Sequence, residues 1–419
     1  MRLSKLLDTK LLWEHMTNGV VSVAQHPEFP ELRVYNYTHV AQHDNVWDNV
    51  TEQCRGLVCR QETATSDWPI WLLDHQVVVA RPFRKFFNLN TSFRPEAQEA
   101  NLPFGQKPRV LEKLDGSLGI LFWHGWKKEP IIATRGSFGS DQAKWATKWY
   151  KQHCAERYAL WQPTDSGPYF PEINWPEGYT PLFEIIYDEN RIVVNYDYQA
   201  LVLLGLVNID TGMELSPEEV SEVAHRNKLR VAREYDSLSV EACKSHVESN
   251  IEGFVLQYWD EATKRPLRLK VKTEDYVRLH KIITGLNPKG IWEHLSEGGS
   301  PEALWVPGLQ NKQFVVWCRG WIDTFQKMYG ETEQEVVRTF GRVAINASQI
   351  IGSTAPKLDE RAARKVWALA IQQEPGNLHK ILFACLSGQD WKKLVWKQLE
   401  PKIQGKEVYI RDADTNNGI

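Results

Sequence analysis

The sequence of 419 residues contains no long apolar run, few cysteines and little net charge. No stretch approaches the roughly 18 uninterrupted apolar residues of a transmembrane helix, so a membrane span is not expected. Residues 1–16 lack the apolar core and cleavage site of a signal peptide, and their pattern predicts a short amphipathic helix. The net charge of −3 excludes a general polyanion binder, so any nucleic-acid site must be a local patch.

The six cysteines are scattered along the chain. None belongs to a Cys-x-x-Cys pair, and Cys54 and Cys59 lie five residues apart without a companion pair of Cys or His. This spacing favours reduced thiols over a disulfide framework or a zinc site, as is typical of a cytoplasmic protein. The sequence also lacks a phosphate-binding loop of the GxxxxGK[ST] type, which excludes a fused P-loop kinase domain.

Short strand-like runs separated by turn signals dominate residues 20–280. These runs lie at 32–38, 55–60, 70–80, 109–114, 119–124, 130–136, 180–187, 200–209, 252–259 and 268–273. Helical patterns at 141–161 and 216–229 interrupt them, and residues 162–180, rich in Pro and Gly, predict a long surface connection. This mixture predicts an α+β domain of largely antiparallel sheets flanked by helices, which we place at residues 1–285.

The strand signals stop near residue 287. Helical patterns follow at 332–350, 357–373 and 388–402. Thr332 and Glu335 occupy capping-box positions, which predicts that a helix begins there. We therefore expect an all-α C-terminal domain at residues 286–405, followed by a polar tail at 406–419.

The segment KLDGS places Lys113 two residues before an Asp-Gly pair, at the end of a predicted strand. A lysine amine attacks phosphorus only when it is deprotonated, which requires a pKa lowered by burial or by nearby cations. The alternative is an ordinary turn, which Asp-Gly favours, beside a solvated charge. The motif alone leaves both interpretations open.

Lys270 and Lys272 lie two residues apart in a predicted strand, so both ammonium groups leave the same face. Two like charges side by side are unfavourable unless an anion, such as a phosphate chain, lies between them. The alternative is an edge strand whose lysines prevent pairing with another strand.

Other charged positions extend this pattern. Arg55 opens a predicted strand and suits a ribose or phosphate, while Lys85 and Phe87 in RPFRKFFNLN suit a phosphate and a base face. Glu184 within an apolar strand and Glu252 at a strand start suit a ribose hydroxyl or a hydrated divalent metal. The alternatives are a surface arginine, a hydrophobic hairpin with charged flanks, and structural acids.

The order of the motifs is more specific than any single motif. An Arg-Gly pair, FRKFFNLN, EKLDGS, TRGS, FEIIY, EGFVLQ and KVKTEDYVRLH follow one another along the chain. In this order the sequence resembles the phage RNA ligase 1 family of covalent nucleotidyltransferases, over about residues 50–285. The long spacing between KLDGS and EGF and the helical C-terminal segment also resemble that family, and not a capping enzyme or a DNA ligase.

The resemblance implies a role for each matching residue. Lys113 matches the nucleophile that attacks the α-phosphorus of ATP, and Lys270, Lys272 and Glu252 complete the implied catalytic set. ATP or AMP binding is implied for Arg55, Lys85, Phe87, Glu112, Asp115, Gly116, Arg135, Glu184, Glu252, Lys270, Lys272 and Tyr276. Glu184 and Glu252 are implied to hold a metal ion through water.

Two further expectations follow for this site. Arg135 stands where the family has a lysine, so the charge is kept but a guanidinium fork replaces a point charge. Positive charge from Lys85, Lys270, Lys272 and a divalent ion is expected to lower the pKa of Lys113.

Two segments carry an excess of positive charge that suits RNA phosphates. Residues 81–113 contain seven Lys or Arg against three Glu, and residues 357–402 contain nine against five acidic residues. The alternative for the second segment is a set of solvated helix faces with paired charges.

The resemblance implies an ATP-dependent RNA ligase that joins 5′-phosphate and 3′-hydroxyl ends through lysyl-AMP and adenylated RNA. It implies ATP and Mg²⁺ or Mn²⁺ as cofactors, and single-stranded or nicked-loop RNA as substrate, with broken tRNA and tRNA repair as the expected context. The expected location is the cytoplasm, that of the host if a phage encodes the protein. The alternatives are a non-catalytic RNA-binding relative, or a DNA ligase or capping-type nucleotidyltransferase.

Overall fold

The fold is described from a computed structural model. It covers residues 1–62, 71–103, 105–125, 129–159, 175–236, 238–248, 250–304, 312–354 and 357–402. The predicted polar tail at 406–419 and most of the predicted connection at 162–180 lie outside these residues. The chain divides into two compact units, with the boundary in the sequence between His280 and Lys281.

Within the described ranges, the helices and strands alternate through the first unit and helices alone follow. The α-helices are α1 (Thr9–Thr17), α2 (His39–His43), α3 (Asn49–Gln53), α4 (Trp71–Asp74), α5 (Asp141–Ala159), α6 (Pro217–Arg226), α7 (Val240–Lys244), α8 (Glu274–Gly285), α9 (Pro288–Ser296), α10 (Lys312–Ser353), α11 (Glu360–Gln372), α12 (Gly376–Leu386) and α13 (Lys392–Gln398). Short 3₁₀ helices lie at Leu3–Lys5, Pro95–Ala97, Glu99–Asn101, Asp188–Asn190 and Pro301–Leu304.

The described strands form three sheets. The strands are β1 (Val21–Gln25), β2 (Leu32–Tyr37), β3 (Arg55–Gln61), β4 (Gln76–Ala80), β5 (Phe87–Asn88), β6 (Arg109–Lys113), β7 (Ser117–His124), β8 (Glu129–Ala133), β9 (Tyr179–Ile186), β10 (Ala200–Asn208), β11 (Arg230–Val231), β12 (Gly253–Asp260) and β13 (Arg265–Lys272). The N-terminal sheet has the order β1-β2-β3-β4, the central sheet β11-β10-β9-β7-β8 and the third sheet β5-β13-β12-β6.

Pairing is antiparallel throughout the long ladders. Among the described strands, parallel pairing is limited to the two-residue contacts of β11 with β10 and of β5 with β13. The predicted α+β fold with largely antiparallel sheets is therefore confirmed, and so is a helical C-terminal region.

The first unit is built in layers that bury both faces of the central sheet. One face packs against the N-terminal sheet, where Val58 and Ile120 are fully buried in the same cluster. The other face packs on α5 and α6, where Phe183 meets Ala146 and Val223. Because β9 lies between these layers, a charged residue on it is held away from water.

The third sheet has two distinct faces, because side chains alternate along each strand. One face carries Phe254 and Leu269, which pack with Val240 of α7. The opposite face carries predicted site residues, including Lys113 and Lys270. The period-two pattern therefore directs both lysines to one side of the sheet.

The predicted strand at 70–80 is correct only in its second half. Residues Trp71–Asp74 form α4, and the strand begins at Gln76. Gln76 pairs with Gln61, the last residue of β3, and no residue between Trp71 and Gln76 pairs with a described strand.

The helix predicted to begin at Thr332 is wrong in its start. Thr332 lies inside α10, which runs for 42 residues from Lys312 to Ser353. Gly330 costs a helix interior about 1 kcal/mol relative to Ala, which does not stop a helix with buried side chains on either side. Ile322 and Val336 are both buried, so one apolar face continues across the glycine. Helix α12 was not predicted, and α13 is shorter than the pattern at 388–402.

Candidate active site

Strand register brings the predicted lysines together around Gly253. This residue starts β12, the strand between β6 and β13, and it lies opposite Lys113 on one side and Lys272 on the other. Glu252 precedes it and is 3% exposed. The Glu252 carboxylate lies 2.5 Å from Nζ of Lys113 and 3.4 Å from Nζ of Lys272. One buried carboxylate therefore joins the two lysines.

Gly253 makes this convergence possible. Its φ of 148° lies in the region that L side chains rarely adopt. A Cβ atom there would lie 2.1 Å from the carbonyl oxygen of Val271 and 2.8 Å from Cα of Lys272. The glycine after Glu252 is thus a steric requirement of the close pairing between β12 and β13.

The turn after Lys113 is held by the carboxylate of Asp115. Its Oδ2 accepts hydrogen bonds from the backbone N–H groups of Val193 and Val194 at 2.8 and 2.9 Å. Its Oδ1 accepts one from the hydroxyl of Tyr276 at 2.8 Å, and its own N–H donates to Tyr196 Oη at 2.7 Å. Asp115 and Tyr276 are both buried, so the two predicted site residues act together to position the turn after Lys113.

The next residue connects this turn to the central sheet. The backbone N–H of Gly116 donates to Oε1 of Glu184 at 3.0 Å. A Cβ atom on Gly116 would lie 2.5 Å from the carbonyl oxygen of Ile185, so this close approach of β9 also needs a glycine.

The expectation that cations lower the pKa of Lys113 is wrong for this arrangement. Burial acts to lower that pKa, but the carboxylates of Glu252 and Glu184 outweigh burial, and the pKa is raised. The lowered pKa belongs instead to Lys270, where burial acts together with the charges of Lys85 and Lys113. The lysine paired with a carboxylate thus keeps its proton, whereas Lys270 has lost much of its affinity for one.

Glu184 is the acid most altered by its surroundings. Burial raises its pKa to about 7, against the attraction of Lys113 and with the repulsion of Glu252. At neutral pH the carboxyl is therefore close to half protonated. Burial of this ionisable group inside an apolar strand lowers the stability of the folded protein.

Glu184→Gln is expected to raise the free energy of unfolding at pH 8 by roughly 1–3 kcal/mol. The folded protein holds a proton on Glu184 that the unfolded chain releases above its ordinary pKa of 4.5. Wild-type stability therefore falls as the pH rises from 4.5 to about 7, whereas the amide does not titrate. Urea unfolding at pH 4.5 and pH 8 measures the difference, which should appear at pH 8 alone.

Glu129→Gln is a suitable control on β8 of the same sheet. A hydrogen bond from Lys151 lowers the pKa of this exposed carboxyl, so its loss should reduce stability at pH 8. A Glu184→Gln variant that is also less stable at pH 8 would contradict the assignment.

A second group of cations surrounds the hydroxyl of Tyr37, a residue that the sequence analysis did not select. Nη1 of Arg135 donates to this hydroxyl at 2.8 Å, and Nζ of Lys85 lies 3.4 Å away. Burial acts to raise the pKa of Tyr37, but Arg135, Lys85 and Arg55 lower it to about 8. No sequence signal marks Tyr37, because a tyrosine in a buried strand is ordinarily a core residue.

Phe86, which was not predicted, lies beside Arg55 and Lys270, whereas the predicted Phe87 lies beside Lys85. The Phe86 ring lies between the guanidinium of Arg55, at 5.3 Å, and Nζ of Lys270, at 4.8 Å. Phe87 instead faces Lys85 and Arg94, at 5.4 and 4.2 Å. From FRKFFNLN alone the two phenylalanines cannot be distinguished, because only the folded backbone determines which cations each ring faces.

A cavity of about 390 Å³ opens between the third sheet and the central sheet. Predicted site residues in its wall are Arg55, Glu112, Lys113, Gly116, Arg135, Glu184 and Lys270. The volume falls in the range of roughly 300–1,000 Å³ that holds nucleotide-sized ligands. Within the described residues, the buried Nη1 of Arg55 has no hydrogen-bond partner, which leaves a donor for an anion. The cavity therefore fits a nucleotide.

Direct metal coordination by protein side chains is not built into the described part of the site. No group of three His, Cys, Asp or Glu residues there is placed to hold a metal ion. The roles predicted for Glu184 and Glu252 toward a hydrated cation stay predictions. In the same residues, no helix is long and apolar enough to cross a membrane.

Comparison with known proteins identifies relatives of the first unit. A protein of Thermovibrio ammonificans with a provisional RNA ligase name is 28% identical over 216 residues, which are 50% of this chain and 51% of that protein. An RNA ligase of Rhodothermus phage RM378 is 23% identical over 337 residues, 68% of this chain and 74% of the phage protein. The chain thus spans about half the length of the first relative.

A solved archaeal ATP-dependent RNA ligase aligns with 77% of this chain and 80% of its own, at 12% identity and a TM-score of 0.41. The family model described as RNA ligase, of the phage T4 type, matches residues 53–277. That match covers more than half of the 419 residues and includes the cluster around Gly253. The protein therefore belongs to the RNA ligase family.

Proposed function

We propose that the protein is an ATP-dependent RNA ligase that joins 5′-phosphate and 3′-hydroxyl ends through lysyl-AMP and adenylated RNA. The observation that carries this proposal is the convergence of Lys113, Glu252 and Lys272 at Gly253, beside a cavity of nucleotide size. A single lysine with a buried carboxylate and further cations beside it suits attack on a phosphate.

In the first step, Nζ of Lys113 attacks the α-phosphorus of ATP, and the bond to pyrophosphate breaks. The Lys113 proton must first pass to solvent, which reaches this partly exposed side chain, because Glu252 at 2.5 Å holds the amine as an ammonium ion. Arg55 and Lys270 line the cavity beside Lys113, and Lys272 lies on the other side of Glu252. The charges of Arg55 and Lys272 stabilise the transition state and the leaving pyrophosphate, and Lys270 supplies a hydrogen-bond donor.

The acidic residues support use of a divalent cation, Mg²⁺ or Mn²⁺. When bound, the cation neutralises charge on phosphate oxygens. Glu184 and Glu252 would hold it through water, as the family resemblance implies, and phosphate oxygens of ATP would complete its shell. Asp115 and Tyr276 keep the Lys113 turn in place.

In the later steps, AMP passes to an RNA 5′-phosphate, and a 3′-hydroxyl then displaces AMP and forms the phosphodiester bond. The expected substrate is single-stranded or nicked-loop RNA. Repair of broken tRNA, in the cytoplasm or in that of a phage host, stays a prediction from the family resemblance.

Covalent labelling with α-labelled ATP tests the proposal. The protein is expected to retain label from ATP but not from GTP after denaturing electrophoresis. Because the pKa of Lys113 is raised, the amine becomes available only at higher pH, and the labelling rate should increase from pH 6 to pH 9. A rate that is constant over this range would contradict a protonated resting Lys113.

The alternatives predict different results in the same experiment. Label from GTP alone would indicate a capping-type enzyme, whereas RNA binding without label would indicate a non-catalytic relative. The described part of residues 281–402 contains helices and no strands. It therefore lacks the β-domain expected to follow the catalytic domain of a DNA ligase or capping enzyme.

A further inference from the structure

A second cavity of about 200 Å³ lies next to the nucleotide-sized one. The two share Phe83, Phe86, Glu214 and Arg268 in their walls. The charged residues that line the second cavity are Arg81, Arg84, Lys85, Arg94, Arg265, Arg268, Glu52, Glu96 and Glu214. Cations therefore outnumber carboxylates by six to three, and we call this space the arginine cavity.

The carboxylates of the arginine cavity already form ion pairs with arginines. Glu52 pairs with Arg84 at 2.9 Å and also with Arg94. Glu214 makes a two-pronged pair with Arg268, and both side chains are only 10% exposed. These pairs neutralise part of the charge, and among the described residues Arg81, Lys85 and Arg265 form no ion pair with a carboxylate.

Arg81 and Arg265 are the cations that bond to neutral oxygens. Arg81 is 7% exposed and donates to Oε1 of Gln53 at 2.9 Å and to two backbone carbonyl oxygens at 3.4 Å. Arg265 donates to the carbonyl oxygens of Gly212 and Thr211. Burial, together with repulsion from Arg265 and Arg84, lowers the pKa of Arg81 to about 10.

Arg81 and Arg265 hold the turn at residues 209–212 in place, which explains their hydrogen bonds. This role does not explain why both side chains are positively charged. Neutral donors would serve the same carbonyl oxygens, whereas the two clustered guanidinium groups repel each other, a repulsion that the charge of Asp210 offsets only in part. Such a cluster is favourable when an anion joins it. The cavity is smaller than the roughly 300 Å³ of pockets for larger ligands, which suits a single phosphate group.

We propose that the arginine cavity binds a phosphate group of the RNA strand whose 5′ end receives AMP. This inference rests on the proposed function, because its ligand is the RNA of that reaction. The shared wall at Phe86 places the cavity beside the site of AMP transfer.

An RNA phosphate is favoured over the phosphates of ATP by the positions of the cations. Arg55 and Lys270 line the nucleotide-sized cavity, whereas Lys85, for which ATP binding was predicted, lines the arginine cavity. Arg84 has a side chain that is 42% exposed, so it lies at the open edge of the arginine cavity. A polymer that runs over the surface reaches such an edge.

Arg84→Gln tests the proposal, with Arg84→Lys as the charge-conserving variant. The matched control is Arg226→Gln, which removes another exposed arginine paired with a glutamate, on α6. Anisotropy with fluorescent 5′-phosphorylated single-stranded RNA is measured over a series of salt concentrations, and lysyl-AMP formation is measured in parallel.

Arg84→Gln is expected to weaken RNA binding about tenfold and to reduce the slope of log K against log salt by about 0.7, as for the loss of one phosphate contact. Arg84→Lys should keep most of the slope, and Arg226→Gln should match the wild type. The loss in RNA binding should exceed any loss in lysyl-AMP formation at least about fivefold.

Two results would overturn the inference. One is an unchanged salt slope and affinity in Arg84→Gln, and the other is a larger loss in lysyl-AMP formation than in RNA binding, which would assign the cavity to ATP. RNA binding is measured without turnover, so a wild-type protein that never forms lysyl-AMP would refute the ligase proposal separately.

Discussion

Replacement of Lys113 by alanine is expected to reduce covalent AMP labelling by more than about 10,000-fold, because the amine proposed to form the bond to AMP is removed. Lys113→Arg is expected to be equally inactive for a different reason. The guanidinium keeps the positive charge beside Glu252 but stays protonated, so it is not a nucleophile. Labelling gels and RNA-binding measurements on the same preparations provide the comparison, and RNA binding should persist in both variants.

Lys151→Ala is the matched control, since Lys151 is an exposed lysine paired with Glu129 at 2.7 Å. It should label like the wild type. Covalent AMP on Lys113→Arg, found at any other lysine by peptide mapping, would refute the assigned nucleophile.

Gly253→Ala is expected to lower the free energy of unfolding by at least about 3 kcal/mol. The added methyl group would meet the carbonyl oxygen of Val271 at 2.1 Å, at a φ of 148°. Relief of this clash must move β12 away from β13, and Lys113 and Lys272 lie opposite this residue on the two sides. Labelling should therefore fall together with stability, as measured by urea unfolding and by gel.

Gly139→Ala supplies the comparison, because a Cβ atom there has nothing within 4 Å. Its stability should stay within about 1 kcal/mol of the wild type. A Gly253→Ala protein of wild-type stability would mean that β12 and β13 separate easily at this point.

Charge placement explains which parts of the site were predictable. Glu184 stands out in the sequence because a carboxylate in an apolar strand is expensive, and the alternation of Lys270 and Lys272 already assigns them one face. The pKa direction of Lys113 was not predictable in the same way. It depends on Glu252 being next to Gly253, and on Gly253 lying opposite Lys113, which is a matter of strand register.

The sequence did not predict site residues that are uncharged and resemble ordinary core residues. Tyr37 and Phe86 look like core aromatics, and only the meeting of separate strands and loops gives each its cationic neighbours. The long helix α10 was divided at Thr332 because a local capping pattern carries no information about the burial of Val336. Local sequence patterns predicted the helices and strands. Contacts between segments that are distant in the sequence determined which residues meet at the site.

The ion pair between Lys113 and Glu252 also affects the chemistry of the protein between turnovers. An amine held as ammonium by a carboxylate 2.5 Å away is a poor target for cyanate, aldehydes and other small electrophiles. Under the proposed mechanism, modification of this one amine would permanently inactivate the protein. The same contact would therefore both delay adenylation and protect Lys113 chemically, and the protection would end only when the ammonium gives up its proton.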